Sequence, residues 1–194
     1  MATSHEGSFH RPHATGGNMS VTLVLGGARS GKSRFAESLA FGRRHYVATA
    51  QAFDDEMRHR IALHQQQRGA GWTTHEEVYD LAQRLEQLND RRHFILVDCL
   101  TLWLSNLMLA EHDVEAAAQR LISVLKQMKA TMVLVSNEVG LGIVPDTPLG
   151  RAFRDEQGRL NQQVAAIAND VVFLAAGLPL VLKGQLPKAP QVQA

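Results

Sequence analysis

Residues 26–33 read GGARSGKS, which sets Gly26, Gly31, Lys32 and Ser33 in the spacing G-x-x-x-x-G-K-[ST]. Glycines at those positions let the backbone of Gly26, Gly27, Ala28, Arg29, Ser30 and Gly31 turn its N–H groups toward phosphate oxygens. Lys32 is placed to reach the β- and γ-phosphates, and the Ser33 hydroxyl is a suitable Mg²⁺ ligand. The context is the one such a loop requires. An apolar run, VTLVL, precedes it, and a helical segment, SRFAESLAFG, follows. The stretch is read as a binding site for a nucleoside triphosphate.

Two further sets of residues stand at the ends of apolar runs. Asp98 closes FILVD, where a carboxylate either helps hold Mg²⁺ through its water shell or caps the next helix. Asn137 and Glu138, in SNEVG, follow another strand-like run. There they either face a ligand at the carboxyl edge of a sheet or form a turn. A separate stretch, DDEMRHRIALHQQQR over residues 54–68, places Arg60, His64 and Arg68 on one helical stripe beside Met57 and Ile61. A neutral imidazole attacks phosphorus without prior deprotonation, and flanking guanidiniums hold phosphate charge. From the spacing alone, a surface histidine with no chemical role remains the leading reading. His59 and His75 carry no comparable argument.

The elements that must position these groups alternate along the chain. Short runs rich in Val, Ile and Leu lie near residues 21–25, 45–50, 94–98 and 131–136, with VVFLAA and PLVLK after them. WTTHEE, 72–77, reads as an edge strand. Segments of 3.6-residue periodicity separate these runs, including a long helix from about Leu149 to Ala168. Such alternation predicts an α/β fold of three layers around a mostly parallel sheet. One folded unit is expected over residues 20–184. Residues 1–19, a polar stretch with Gly and His, are expected as a disordered extension, and residues 185–194 as a tail.

Of the 194 residues, 20 are Lys or Arg and 19 Asp or Glu. That balance, with 6% aromatic residues, argues against a nucleic-acid-binding motor, which would need basic patches and stacking platforms. His5, His10 and His13 match no zinc spacing. The single cysteine, Cys99, is expected as a buried thiol in a reducing compartment. No run suggests a secretory signal or membrane span, and a cytoplasmic protein is expected.

Four stretches together carry a family resemblance: GGARSGKSRFAE, YVATAQAFDDEMRHRIALH, VDCLTLWLSNL and VSNEVGLGIVPDTPLGRAFRDEQGRLNQQVA. They resemble, in order from about Val21 to Lys183, the bifunctional adenosylcobinamide kinase / adenosylcobinamide-phosphate guanylyltransferase family. The resemblance implies a RecA-like P-loop domain, assembly as a trimer, and substrates GTP, ATP, adenosylcobinamide and its phosphate. It implies a kinase step on the aminopropanol hydroxyl, then transfer of GMP through a GMP–histidine intermediate with release of pyrophosphate. The family pattern R-I-x-x-H-[RK]-x-x-R falls on Arg60, Ile61, His64 and Arg68, so the nucleophile carries over to His64. Gln65 replaces the usual basic residue after it, so that one phosphate or guanine contact is either weaker or supplied by Arg68 or Arg58. By the same alignment, nucleotide contacts fall on Gly26 to Ser33, on Ala48, Thr49 and Ala50, and on Gln65, Gln66, Gln67 and Arg68. Glu76, as a reader of the base, and Asp98 complete the set. A monofunctional small-molecule kinase, in which His64 only touches substrate, is the nearest alternative.

Overall fold

A computed structural model describes residues 20–51 and 70–187. Its strands are β1 (Val21–Gly26), β2 (Arg43–Ala48), β3 (Trp72–Glu76), β4 (His93–Asp98), β5 (Thr131–Val135), β6 (Asp170–Ala175) and β7 (Leu178–Lys183). They form a seven-stranded sheet in the order β3-β2-β4-β5-β1-β6-β7. All neighbours are parallel except β6 and β7, which form an antiparallel hairpin. The helices are α1 (Lys32–Ser38), α2 (Leu81–Gln87), α3 (Leu100–Leu109), α4 (Val114–Leu125) and α5 (Pro148–Ile167).

The unbroken apolar strands have a direct cause. Met132 and Leu134 of β5 pack under α2 to α5 with Leu23, Ile95, Leu121 and Leu160. Val133 and Val135 face the other way, against Ala36 and Leu39 of the α1 segment. Both faces of the interior strands are therefore covered, and no polar face is needed. Helix starts are specified locally. Asp80, Asp113 and Thr147 accept bonds from Gln83, Ala116 and Gly150 N–H, and Pro148 opens α5.

The elements match the sequence reading, with small shifts. β2 begins two residues earlier than the apolar run and ends at Ala48, so Thr49 and Ala50 lie beyond it. α1 ends at Ser38 rather than near Gly42. β7 is apolar yet exposed along its whole length, because it is an edge strand with neither face covered among the described residues. Residues 54–68 lie outside the described residues, as do 1–19 and 188–194. Among the described residues no helix is long and apolar enough to cross a membrane.

Candidate nucleotide site

β1 delivers the glycine loop to the carboxyl edge of the sheet. Gly26 leaves the strand at φ 151°, and a side chain there would run into Leu174 O and Ser30 Oγ. Arg29 at φ 56° and Gly31 at φ 96° supply the left-handed turns that fold the loop back into α1. No side chain caps α1, so its first N–H groups point into the loop without an intrahelical partner. Lys32 is 8% exposed, and its Nζ donates to Gly27 O at 2.6 Å. Burial pushes its pKa below the ordinary lysine value, opposed by nearby Cys99 and Asp98. The turn between β6 and β7 braces the loop from outside, Gly177 N donating to Ser30 O at 3.0 Å.

Asp98 is the meeting point. Its Oδ2 accepts from Ser33 Oγ at 2.9 Å and from Tyr46 Oη at 2.9 Å. It does not cap α3, whose N-cap residue is Cys99, so of the two readings of this carboxylate the helix cap is not the one adopted. A hydroxyl and a carboxylate oxygen held side by side are hard donors that fit Mg²⁺, which usually keeps water and phosphate in its other positions. Register extends the site sideways. Ala48 pairs with Asp98 on one side and with Glu76 on the other. Glu76, Ala48 and Asp98 thus form one row on one face, the backbones of Glu76 and Asp98 roughly 10 Å apart by strand spacing. Glu76 is exposed, and so free to meet a ligand.

The segment after β2 is locked to the segment after β4. Thr49 Oγ1 donates to Cys99 O at 2.7 Å and accepts from Cys99 N at 2.9 Å. Asn106 Nδ2 then holds Thr49 O at 2.7 Å and Val78 O at 3.3 Å, tying the ends of β2 and β3 to α3. Cys99 is buried, and burial pushes its thiol up to about 12, which leaves it neutral and unreactive at neutral pH.

The structure therefore brings Gly26 to Ser33, Ala48 to Ala50, Glu76 and Asp98 to one edge. His64, Gln65, Gln66, Gln67, Arg68, Arg58 and Arg60 lie outside the described residues. Sequence reasoning missed Tyr46 and Asn106, for which it holds no signal, since tyrosine and asparagine on periodic segments read as ordinary packing.

A sequence model described as cobinamide kinase / cobinamide phosphate guanyltransferase matches residues 22–182. The chain belongs to this family. It is thus an enzyme of the bifunctional kinase and guanylyltransferase class. The chain is 47% identical over 168 residues to bifunctional adenosylcobalamin biosynthesis protein CobP of Pseudomonas aeruginosa, covering 84% of this chain and 97% of that one. It is 39% identical over 180 residues to the CobU protein of the same description from Escherichia coli K12, covering 84% and 99%. Among solved structures, a prototypical ATPase from the type III secretion system of pathogenic bacteria superposes with a TM-score of 0.52 at 12% identity. That likeness covers 84% of this chain and 56% of the ATPase, and shows the RecA-like P-loop fold alone.

Proposed function

We propose that this enzyme phosphorylates adenosylcobinamide with a nucleoside triphosphate and then transfers GMP from GTP to the product. The observation that carries the reading is the Glu76–Ala48–Asp98 row set beside Lys32 and Ser33, in a chain of this family. The row gives a nucleotide a phosphate end at the glycine loop and a carboxylate end at Glu76, suited to the N–H edge of guanine.

In the kinase step the aminopropanol hydroxyl attacks the γ-phosphorus of ATP or GTP, the bond to the bridging β-phosphate oxygen breaks with that oxygen leaving on the diphosphate, and the hydroxyl proton passes to solvent water. Lys32 exchanges Gly27 O for phosphate oxygens and offsets the charge on the leaving diphosphate. In the second step the His64 imidazole attacks the α-phosphorus of GTP, forming a P–N bond and releasing pyrophosphate. A phosphate oxygen of adenosylcobinamide phosphate then attacks that phosphorus, breaks the P–N bond and restores the imidazole. Ser33 and Asp98 would hold Mg²⁺, which when bound neutralises phosphate charge. Two displacements replace one encounter between two bulky anions.

We further assign self-association to β7, as the trimer implied by the family resemblance requires. Leu178 and Leu180 alternate onto one face, Leu182 follows at a bulge, and the three are 72%, 59% and 57% exposed, more apolar edge than a lone sheet usually leaves open. A cytoplasmic setting suits both the nucleotide substrates and the unpaired Cys99. Incubation with GTP labelled at the α-phosphate tests the central claim. One acid-labile GMP adduct on His64, seen by mass spectrometry and absent from His64→Ala, is the expected result. Full labelling of His64→Ala would overturn it, and a protein that phosphorylates cobinamide but never carries GMP would be a kinase alone.

A further inference from the structure

The long stretch GRAFRDEQGRLNQQVA contributes none of the groups invoked above, yet α5 buries two of its amides. Gln157 is 0% exposed and Asn161 6%, one turn apart on a helix face otherwise filled by Leu160 and Val164. Amides so placed are costly unless paired, and of their polar atoms only Gln157 Oε1 lacks a partner. Here their bonds converge on the end of β5. Gln157 Nε2 donates to Ser136 Oγ at 2.9 Å and to Asn161 Oδ1 at 3.0 Å, and Ser136 Oγ donates to Asn161 Oδ1 at 2.7 Å. Asn161 Nδ2 then donates to Asn137 O at 3.0 Å. From the other side, Thr101 Oγ1 accepts from Asn137 N at 2.7 Å. Both backbone polar groups of one half-exposed residue are thus held by buried side chains of two different helices.

The register says which way that residue faces. The ladder between β1 and β5 continues past Val135, with Ser136 N donating to Val24 O at 2.9 Å and Glu138 N to Gly26 O at 3.1 Å. Val24 pairs with Val135, so Asn137 lies beside Gly26, the first glycine of the phosphate-binding loop. Side chains alternate along such a ladder. Ser136 therefore turns to α5, while Asn137 falls on the face of Val135, which pairs with Asp98 one strand over. That is the face carrying Asp98, Tyr46 and α1.

We propose that the Asn137 carboxamide is a contact to the terminal phosphate of the bound triphosphate, and that Gln157, Asn161 and Thr101 are positioning residues that act through it. The inference rests on the nucleotide reading of the loop given above. The Asn137 backbone is fixed between the strand of the glycine loop and the strand of Asp98, and its carboxamide supplies a neutral donor there. It is well placed to strengthen its bond as charge gathers on the transferring phosphoryl oxygens. The α5 amides keep it from swinging with the loop that follows.

A double-mutant cycle on phosphoryl transfer tests this. Asn137→Ala and Gln157→Leu should each lower kcat by about tenfold to a hundredfold, with KM for the triphosphate changed far less. In the double variant the Gln157→Leu effect should vanish, because its only route to the phosphate is gone. If the two losses multiply instead, or if Asn137→Ala keeps full kcat, the proposal is wrong. Should Gln157→Leu fail to fold, Thr101→Val removes the other anchor of Asn137 and completes the same cycle. Triphosphate binding measured on the wild type and on Lys32→Met keeps the two readings apart. Binding that ignores Lys32 would sink the nucleotide site itself, whereas a failed cycle with Lys32-dependent binding sinks only the role of Asn137.

Discussion

Two regions of the sheet bury polar side chains, and they do so differently. At the carboxyl ends of β4 and β5, Ser136, Gln157, Asn161 and Thr101 bond one another and the backbone, with Gln157 Oε1 the one side-chain atom among them left without a partner. On β2, β3 and β4, His45 packs between two other imidazoles. Its Nδ1 shares a hydrogen bond with His75 Nε2 at 3.0 Å, and its ring centroid lies 4.4 Å from that of His93. His45 Nε2 is buried with no partner. Burial, with His93, His75 and Arg43 nearby, pushes its pKa down to about 4. Burial and then Arg84 lower that of His75 as well. Neutral amides hold geometry at every pH. Clustered imidazoles hold theirs only while uncharged. The first region can orient a reacting group, and the second ties part of the fold's stability to pH.

The largest expected effect breaks the site without breaking either cluster. Lys32→Met should cost both activities about a hundredfold to a thousandfold, the scale of losing a preorganised charge. The melting temperature of the nucleotide-free protein should hold or rise, since a partly desolvated ammonium is removed. A large fall in that temperature would mean that Lys32 serves the fold more than the phosphate.

The acid response sharpens the contrast. His45 binds its proton more readily in the unfolded chain than in the fold, so the stability linked to it is complete above pH 6.5 and drains as pH falls toward 4. The loss should be on the order of 3 kcal/mol, seen as a falling urea midpoint across that range. His45→Leu should flatten the profile. An unchanged profile in that variant would put the acid sensitivity elsewhere.

The smallest effect is a difference at neutral pH. Gln157→Leu removes the donor to Ser136 and Asn161 in a fully buried place, and should cost about 1–3 kcal/mol by chemical denaturation. His45→Leu deletes an unpartnered nitrogen, and the half-buried His75 it leaves can turn to water, so its cost should be smaller. If the order were reversed, the distinction between a bonded amide network and a sparsely bonded imidazole cluster would fail.

Much of this was legible in the sequence, and what was legible is local. The spacing of Gly26, Gly31, Lys32 and Ser33 fixes a backbone turn within eight residues, and runs such as FILVD announce strands covered on both faces. Even β3, weakly patterned, was readable as an edge. Asp98 was legible as a candidate Mg²⁺ ligand in preference to a helix cap, but its sharing by Ser33 and Tyr46 was not. His75 carried no signal, because a histidine on a half-buried strand gains its meaning from His45, thirty residues away.

The amino-acid order by itself determined the α/β alternation, the phosphate loop and, through its family motifs, the class of enzyme. Those depend on periodicity, backbone freedom and contiguous residue types. Tertiary structure alone decided that Ser33 and Tyr46 share the Asp98 carboxylate, and that Glu76 joins its row. It alone decided that α5 reaches across to hold Asn137 beside Gly26. Each of these follows from strand register and helix packing between residues far apart in the chain, which no local pattern encodes.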